Sequence, residues 1–391
     1  MAVHSIADVD VSGKRVLVRV DFNVPLRDGA VSDDSRIRAS LPTIQSILNR
    51  GGSVILVSHL GRPRGEVRDD LRIAPAGARL SSLLDLPVQT VDDITGPHAV
   101  AAAARLHPGQ ILLLENVRFD PREEQNDVSL ARELAGLADI YVNDAFGAAH
   151  RAHASTTGVA AFLPSFIGLL MLDELEHLGK LTKHPDHPFV AVLGGAKVTD
   201  KVGVIRNLLN LVDALVLGGG IANTFALAAG FSIGNSLADR DFVPTAKEIL
   251  DEVRSKGIEI HLPIDVVVAS NVDANGRVVQ MNEVPNDESI FDIGPQTLEA
   301  YASVLKSAKT IFWNGPLGVF EKPEFAKGTL GVANAIAASD SYSVVGGGDS
   351  LAAIEQSGVA AQIDHLSTGG GASLEFLEGQ TLPGVAALDR E

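Results

Sequence analysis

The sequence predicts an α/β protein with two doubly wound, Rossmann-like parallel sheets, and three observations support this fold class. Short apolar runs rich in β-branched residues recur along the chain, amphipathic segments separate most of them, and polar or glycine-rich motifs follow the runs directly. Apolar strands that alternate with helices are typical of parallel sheets covered on both faces. Functional residues of such sheets lie at the carboxyl ends of the strands.

The apolar runs predict strands, in chain order, at 15–20, 53–58, 111–116, 140–144, 189–195, 214–220, 265–270, 310–315 and 342–348. Amphipathic spacing predicts helices between many of them, for example at 36–50, 129–136, 243–256 and 324–338. The stretch FIGLLMLDELEHLGKL, at 166–181, predicts one further helix. The Pro/His-rich break TKHPDHPF after it indicates a domain junction.

Composition excludes several classes of function. The 391 residues are enough for two domains or slightly more, and the formal charge of −17 is opposite in sign to that of general nucleic-acid binders. With no cysteine, the chain has neither a disulfide framework nor a thiolate nucleophile. Since no apolar run reaches about 18 residues and the N-terminus lacks an apolar segment, we expect a cytoplasmic protein without a membrane partner.

In the first half, arginine, histidine and asparagine gather at the ends of predicted strands, in VDFN, SHLGR, ENVRF and VNDAFGAAHR. The candidate cations are Arg36, His59, Arg62, Arg118 and Arg151, with Asp21 and Asn23 as polar partners. Because the planar fork of arginine matches phosphate and carboxylate, several arginines on converging strand ends predict an anion pocket. For any one arginine alone, an ordinary surface ion pair is the alternative.

Two residues of this half keep open alternatives. For His59 we favour an anion-binding imidazolium or a loop histidine that caps a strand over a general base. Asp21 is either a ligand or a residue that shapes the turn after the first strand. The HxxH spacing in AHRAHAST is weak evidence for a metal, and we assign no zinc site.

In the second half, glycine follows the strands, in LGGAK, LGGG, WNGP and VVGGGDS. The sequence contains neither a P-loop motif nor the protein-kinase motif set, and it lacks a dinucleotide fingerprint with its ribose-binding acid. Glycines at strand ends let backbone amides approach phosphate, although close strand-to-helix packing explains them equally well.

Individual residues of the second half also predict phosphate binding. Lys197 and Lys201, four apart, are expected on one face of a helix start, within reach of two phosphates or simply solvated. Asp349 is either the N-cap of a helix from about 351 or a carboxylate that faces magnesium, or both. Ser367 or Thr368 is expected to cap the helix in STGGGASLEF.

The order of these motifs is more specific than any one of them. Together they resemble the phosphoglycerate kinase family over essentially the whole chain, through RVDFNVP, SHLGRPRG, LLLENVRFDPREE, YVNDAFGAAHRAHAST, LGGAKVTDK, WNGPLGVFE, VVGGGDS and STGGGASLEFLEG. The resemblance implies reversible, magnesium-dependent phosphoryl transfer from 1,3-bisphosphoglycerate to ADP in glycolysis and gluconeogenesis, by a monomer.

The resemblance also implies two domains that face a cleft. The N-terminal, triose-binding domain takes 1–168 together with about 377–391, an interdomain helix or hinge takes 169–182, and the nucleotide-binding domain takes 183–376. The implied triose site consists of Asp21, Phe22, Asn23, His59, Leu60, Gly61, Arg62, Arg118 and Arg151, with Arg36 reaching the transferred group. For ADP or ATP, the implied residues are Lys201, Glu321, Gly347, Gly348, Asp349 and Ser350, with Asp349 also meeting Mg²⁺.

Lys197 is expected to accompany the phosphoryl group, with amides near Gly346 and Gly369 helping to neutralise it. Because a carboxylate and the terminal phosphate of ADP are already ionised, no side chain has to remove a proton. Departures from the family pattern at Ile221, Asn235 and Ile290 are expected to affect nucleotide contacts only. An NAD-linked dehydrogenase and an inactive anion- or nucleotide-binding module are the rival interpretations.

Overall fold

The computed structural model describes residues 4–389. The chain divides into two compact units. One contains the residues up to Glu176 together with the segment from Thr381 onward, and the other runs from His177 to Gln380. None of the helices in the described part of the chain is long and apolar enough to cross a membrane.

The first unit is built on a six-stranded parallel sheet. Its strands and a small hairpin are β1 (Arg15–Arg19), β2 (Leu26–Arg27), β3 (Ala30–Val31), β4 (Ser53–Val57), β5 (Val88–Thr90), β6 (Ile111–Leu113), β7 (Ile140–Asn143) and β8 (Ser165–Ile167). The helices are α1 (Ser35–Asn49), α2 (Ala74–Leu84), α3 (Pro97–Ala104) and α4 (Val128–Ala135). Helix α5 (Leu169–Lys183) begins in this unit and continues past Glu176 into the residues of the second unit. The sheet order is β5-β6-β4-β1-β7-β8, and β2 pairs with β3 separately.

The order of this sheet places a switch point at its centre. From β1 the chain moves to β4 on one side, whereas β7 and then β8 lie on the other side. Every residue of β4 and β7 is buried, as expected for strands covered on both faces. Loops at the carboxyl ends of β1 and β7 diverge at such a point and leave space for a ligand.

The second unit repeats this architecture with the order β11-β10-β9-β15-β16-β17. Its strands are β9 (Phe189–Leu193), β10 (Ala214–Leu217), β11 (Glu259–His261), β12 (Asp265–Ala269), β13 (Arg277–Gln280), β14 (Ser289–Ile293), β15 (Thr310–Asn314), β16 (Tyr342–Gly346) and β17 (His365–Ser367). The helices are α6 (Val202–Leu208), α7 (Gly219–Ala228), α8 (Val243–Lys256), α9 (Pro295–Ser307), α10 (Lys327–Ala337), α11 (Gly348–Ser357) and α12 (Gly371–Leu377). Here the switch point lies between β9 and β15.

Two predicted elements differ from the structure. The run at 265–270 forms β12, but this strand belongs to a separate antiparallel sheet with β13 and β14 rather than to a parallel sheet. The stretch at 166–181 is not one helix, since 165–167 form β8 and α5 begins at Leu169. A strand and a helix separated by one glycine share one apolar run, so periodicity alone did not separate them.

The carboxylate of Asp144, at the end of β7, lies at the start of α5. Its Oδ1 accepts hydrogen bonds from the amides of Leu170 and Met171, at 3.0 and 3.3 Å. Burial raises the pKa of Asp144 to about 7. Gly168 is required beside it, because a Cβ at that position would lie 2.0 Å from Oδ1.

The end of the chain completes the first unit. Helix α13 (Pro383–Ala386) packs beside the loop that follows β7, where the amide of Gly384 donates to the carbonyl of Ala149 at 2.8 Å. Asn143 Nδ2 donates to the carbonyl of Gly384 at 3.2 Å. The returning segment therefore touches the edge of the sheet at which the first-half motifs lie.

Candidate functional site

Four arginines surround a buried histidine at the switch point of the first sheet. His59 follows β4 and is 5% exposed, and positive charge from Arg19, Arg118, Arg36 and Arg151 acts on its ring. Burial lowers the pKa of His59 well below its ordinary value, and the four arginines lower it further. His59 is therefore neutral near pH 7, which favours the loop-histidine alternative over an anion-binding imidazolium.

Asp21 and Arg36 form the acidic and basic pair of this cluster. Arg36, in the first turn of α1, donates from Nη1 to Asp21 Oδ2 at 2.7 Å and remains about one-third exposed. Asp21 Oδ1 accepts from the amide of Asn23, so Asp21 also shapes the turn after β1. The carboxylate thus performs the structural role and orients a cation of the cluster.

The HLGRPRG loop is held by side chains from neighbouring loops. Asn23 Oδ1 accepts from the amide of Gly61 at 2.8 Å, and Arg118 Nη1 donates to the Gly61 carbonyl at 2.8 Å. Gly61 has φ +62°, and a Cβ there would lie 2.7 Å from Leu71. Glycine is needed at this position for both its conformation and its size.

The remaining predicted triose residues differ in exposure. The side chains of Phe22 and Leu60 lie in the hydrophobic core, so only their backbones face the loops. Arg62 is exposed, whereas Arg151 is half-buried and donates from Nε to His150 Nε2 at 3.0 Å. Arg118 is 5% exposed, and burial lowers its pKa.

Sequence reasoning did not identify a polar layer beneath these residues. Arg19 is 1% exposed, Glu123 and Ser155 are fully buried, and His153 is 8% exposed. Burial lowers the pKa of His153 to about 4, and it raises the pKa of Glu123 against the opposing effect of Arg19. The available signal was an arginine within the apolar run RVLVRV, where a buried charge demands partners.

In the second unit, the carboxyl ends of five parallel strands bring the glycine motifs to one edge. Gly194, Gly218, Gly315, Gly347 and Thr368 follow β9, β10, β15, β16 and β17, respectively. This common edge agrees with the position expected from the sequence.

The two lysines of the LGGAKVTDK loop do not lie on one helix face. A 3₁₀ turn occupies Thr199–Lys201 and α6 begins only at Val202, so Lys197 precedes the helix. Lys197 is exposed, whereas Lys201 is 9% exposed and donates from Nζ to the carbonyls of Gly194 and Asn314, at 2.6 and 2.9 Å. Lys201 therefore links the ends of the two strands that flank the switch point.

The glycines of this edge fall into two groups. A Cβ on Gly194 or Gly220 would lie 2.1 or 2.2 Å from a backbone carbonyl oxygen, so close packing explains both. By contrast, a Cβ built on Gly348, Gly370 or Gly371 meets no described atom within 4 Å. The open space beside this second group leaves room for a ligand.

Helix α11 begins at Gly348, three residues earlier than expected, and Gly347 is its N-cap with φ +95°. Asp349 lies in the first turn, is exposed, and among the described contacts makes no capping bond, which corrects its N-cap interpretation. Ser350 is buried, and its Oγ accepts from the amide of Gly315 at 2.6 Å. Ser350 thus joins the loops after β15 and β16.

The loop after β17 also differs from the expected cap. Gly370, rather than Ser367 or Thr368, is the N-cap of α12. Ser367 Oγ instead lies 2.7 Å from Ser373 Oγ and accepts from the amide of Gly369 at 3.4 Å. The amide of Gly369 is thus turned towards its own loop.

An apolar surface near the LGGAKVTDK loop was not identified from the sequence. Leu237 is 61% exposed, and its carbonyl accepts from Asn223 of α7. The same loop continues to Asp239, whose carboxylate accepts a hydrogen bond from Thr199. A single leucine in a polar loop carries no pattern, so only the folded structure shows that it lies beside the candidate phosphate loop.

Glu321 and the three departures have distinct surroundings. Glu321 is exposed in the loop after β15. Ile221 is fully buried, Asn235 is exposed, and Ile290 packs partly buried against the core of the antiparallel sheet. The effects of these three residues on nucleotide contacts stay predictions.

Comparison with known proteins gives a consistent result. A family model described as phosphoglycerate kinase matches residues 6–380. A phosphoglycerate kinase of Moorella thermoacetica is 57% identical, with 99% of each chain covered, and one of Roseiflexus sp. is 56% identical, with 100% of each covered.

Similar solved structures belong to the same family as the sequence relatives. The phosphoglycerate kinase of Coxiella burnetii is similar with a TM-score of 0.89 at 42% identity, covering 99% of this chain and 98% of the other. That of Pyrococcus horikoshii has the same TM-score at 37% identity and covers 98% of both chains. By sequence over nearly its whole length, and by fold, this chain belongs to the phosphoglycerate kinase family.

Proposed function

We propose that the two clusters hold the two substrates of a phosphoryl transfer between 1,3-bisphosphoglycerate and ADP. Family membership makes the chain a kinase that uses 3-phosphoglycerate and ADP or ATP, and it does not support an inactive module or a dehydrogenase. The observation that carries the assignment of the first cluster is the convergence of Arg19, Arg36, Arg118 and Arg151 on neutral His59.

In the first unit, exposed Arg62, half-buried Arg151 and the buried Arg118 contact the ligand. Arg62, Arg118 and Arg151 hold the phosphate and carboxylate of the triose, since their forks match both groups. Neutral His59 and Asn23 form hydrogen bonds with the triose. Phe22, Leu60 and Gly61 contribute only their backbone groups. Arg36, held by Asp21, neutralises the group that is transferred.

In the second unit, accessible amides receive the nucleotide phosphates. Gly347, Gly348 and the first turn of α11 present amides and the positive end of a helix dipole. Exposed Lys197 reaches the moving group, while Lys201 and Ser350 fix the loops around it. Leu237 offers apolar surface to the base, and Glu321 offers a carboxylate for the ribose hydroxyls.

Asp349 fits the role of a magnesium ligand. Mg²⁺ in such sites is held by one or two carboxylates together with substrate phosphates, and Asp349 presents an exposed carboxylate beside the accessible amides of α11. When bound, the ion neutralises charge on the nucleotide phosphates. The test is Asp349→Asn, which we expect to weaken magnesium-nucleotide binding measured by calorimetry while leaving triose binding unchanged.

The chemistry then requires positioning and charge neutralisation only. Both nucleophiles, a carboxylate and a terminal phosphate, are ionised at neutral pH, so the chain need not supply a base. Arg36, Lys197 and amides near Gly346 and Gly369 stabilise the charge on the phosphoryl group in line between donor and acceptor. The Gly369 amide exchanges its long 3.4 Å hydrogen bond to Ser367 Oγ for one to the phosphoryl group. Direct transfer requires the two ligands to meet and water to be excluded, which makes hinge movement part of the proposal.

Formation of ATP from 1,3-bisphosphoglycerate and ADP with magnesium tests this assignment directly. Arg36→Ala removes a cation held against Asp21, and we expect kcat to fall by about 10²–10³-fold. Arg38→Ala is the matched control, because Arg38 is exposed on the same helix and pairs with Asp34.

Normal kcat in a folded Arg36→Ala protein would remove Arg36 from the mechanism. An equal loss in both variants would trace the effect to α1 rather than to the cluster. A monomeric state, tested by sedimentation, and a cytoplasmic location stay predictions of the family resemblance.

A further inference from the structure

A buried carboxylate, Glu123, lies beneath the cation cluster, and both of its oxygens form hydrogen bonds with one serine, Ser155. Glu123 is fully buried, and its Oε2 accepts from the backbone amide of Ser155 at 2.9 Å. Its Oε1 lies 2.6 Å from Ser155 Oγ. The Glu123 carbonyl also accepts from the amide of Ala154, so both residues of the 154–155 segment are tied to it.

The direction of the next hydrogen bond follows from chemistry. Arg19 Nε lies 2.8 Å from Ser155 Oγ, and a guanidinium can only donate. Ser155 Oγ therefore accepts from Arg19 and directs its own proton to Glu123 Oε1. Both carboxylate oxygens are acceptors, as the ionised form of Glu123 requires.

The other end of Arg19 reaches the histidine at the centre of the cluster. Arg19 Nη2 lies 3.1 Å from His59 Nδ1, so Nδ1 must accept and carries no proton. Arg19 Nη1 donates to the carbonyl of Val20, which leaves the guanidinium little rotational freedom. A neutral His59 with a bare Nδ1 has its proton on Nε2 and presents a donor there.

We propose that Glu123 is a positioning residue of the triose pocket, which fixes the tautomer of His59 through Ser155 and Arg19. The negative charge opposes the repulsion among the four arginines, and the hydrogen bonds hold Arg19 in the one orientation that reaches His59. The consequence for substrate binding rests on the proposed function of this pocket, whereas the hydrogen-bond chain to His59 does not.

Glu123→Gln tests the proposal at constant volume. A glutamine keeps an acceptor at only one of the two carboxylate oxygen positions and places an NH₂ donor at the other, so one of its two bonds with Ser155 is lost or reversed and the chain to Arg19 is disturbed. Glu133→Gln is the matched control, since Glu133 is an exposed carboxylate of the same unit that pairs with Arg122. Nitrogen-15 NMR of the imidazole rings gives the tautomer, with the His59 signals assigned from a His59→Gln spectrum.

We expect Nδ1 of His59 to be the unprotonated nitrogen in the wild type and in Glu133→Gln. In Glu123→Gln we expect the two ring nitrogens to shift towards a mixture of tautomers, and KM for 3-phosphoglycerate to rise about tenfold with a smaller change in kcat. His59 signals that are identical in Glu123→Gln and wild type would overturn the proposal.

A second variant keeps the proposal testable if Glu123→Gln fails to fold. Ser155→Ala removes only the hydroxyl between Arg19 and Glu123, and we expect the same shift of the His59 nitrogens. An unchanged His59 in this variant would also overturn the proposal. A shifted tautomer with unchanged KM would support the role of Glu123 and instead contradict the assignment of the pocket to the triose.

Discussion

Lys197 and Lys201 show how far two identical residues of one loop can differ. Lys197 is exposed before the 3₁₀ turn, and Lys201 is nearly buried with its ammonium on two backbone carbonyls. A cation bonded to strand ends contributes to folding as well as to the local field. The exposed lysine contributes mainly through its charge.

The pair Lys197→Met and Lys201→Met separates these roles. We expect Lys197→Met to lower kcat at least 10²-fold without a change in the thermal unfolding midpoint. Lys201→Met removes the ammonium donor from the Gly194 carbonyl and one of two donors from the Asn314 carbonyl, which keeps the Gly194 amide at 3.0 Å. We therefore expect a loss of about 1–3 kcal/mol in unfolding free energy. Steady-state kinetics and thermal unfolding check both variants. A thermal unfolding midpoint of Lys201→Met equal to that of the wild type would contradict the structural role of Lys201.

At the residue scale, the sequence predicted the cations at strand ends but not the layer that orients them. Arg36, Arg118 and His59 stood in motifs that signal exposure and charge. Glu123 and Ser155 did not, since hydrogen bonds over 32 residues of separation leave no local pattern. The sequence also left the charge state of His59 open, because burial depends on packing that the motif does not reveal.

Among the elements, α10 starts from a buried carboxylate rather than from a local cap. Asp292, on β14, accepts at Oδ2 from the amide of Gly328 at 2.7 Å and at Oδ1 from its neighbour Ile293. Burial raises the pKa of Asp292 to about 7 from 3.8, although these amides lower it. The native protein therefore retains a proton on Asp292 between about pH 4 and pH 7 that the unfolded chain releases.

The retained proton on Asp292 sets the sign of the pH dependence of stability. Because the folded state binds more protons in this window, the stability of the second unit is expected to fall as pH rises from about 4 to 7, by a few kcal/mol at most, with no further contribution above. Asp292→Asn should remove this slope, whereas exposed Asp273→Asn should retain it. Trp313 is the single tryptophan and lies buried in the second unit, so its fluorescence follows the relevant transition.

Urea unfolding followed at this tryptophan, at several pH values, measures the slope. A pH dependence in Asp292→Asn equal to that of wild type would contradict the assignment to this carboxyl.

Element positions were predictable where one period was uninterrupted. The helix 243–256 matches α8 residue for residue, and the apolar runs at 189–195 and 310–315 contain β9 and β15. Prediction was wrong where glycines formed the boundary, as at Ile167 to Leu169 and at Gly348. Glycine permits a turn, a cap or a strand end, so the tertiary contacts decide among them.

In the molecule as a whole, the segment from Thr381 onward, which returns to the first unit, links the stability of that unit to its candidate anion site. A Cβ on Gly384 would lie 3.0 Å from Ala149 Cα and 3.2 Å from Asn143 Nδ2, and Ala149 is two residues from Arg151. We expect Gly384→Val to cost about 1–3 kcal/mol of stability and to raise KM for 3-phosphoglycerate more than KM for ADP.

Ala386→Val is the control, since Ala386 is exposed on the same short helix. Parallel kinetics and unfolding of the two variants provide the measurement. A KM increase of equal size for both substrates in Gly384→Val would argue against a local effect on the Arg151 loop.

The proposal that the triose and the nucleotide bind to different units predicts a change in the dimensions of the protein in solution. Direct transfer requires them to meet, so we expect the radius of gyration to decrease when 3-phosphoglycerate and a magnesium-nucleotide are added together, and less with either alone. Small-angle scattering with no, one or both ligands measures this. Identical profiles in all conditions would count against hinge closure.

The return of α13 to the first sheet also bears on the order in which the chain acquires its structure during synthesis. The helix that packs on Asn143 and Ala149 follows the entire second unit in the chain. A nascent first unit leaving the ribosome therefore lacks this contact until the second unit has also been synthesised. The loop after β7, which carries Arg151, gains its contacts with α13 only at that stage.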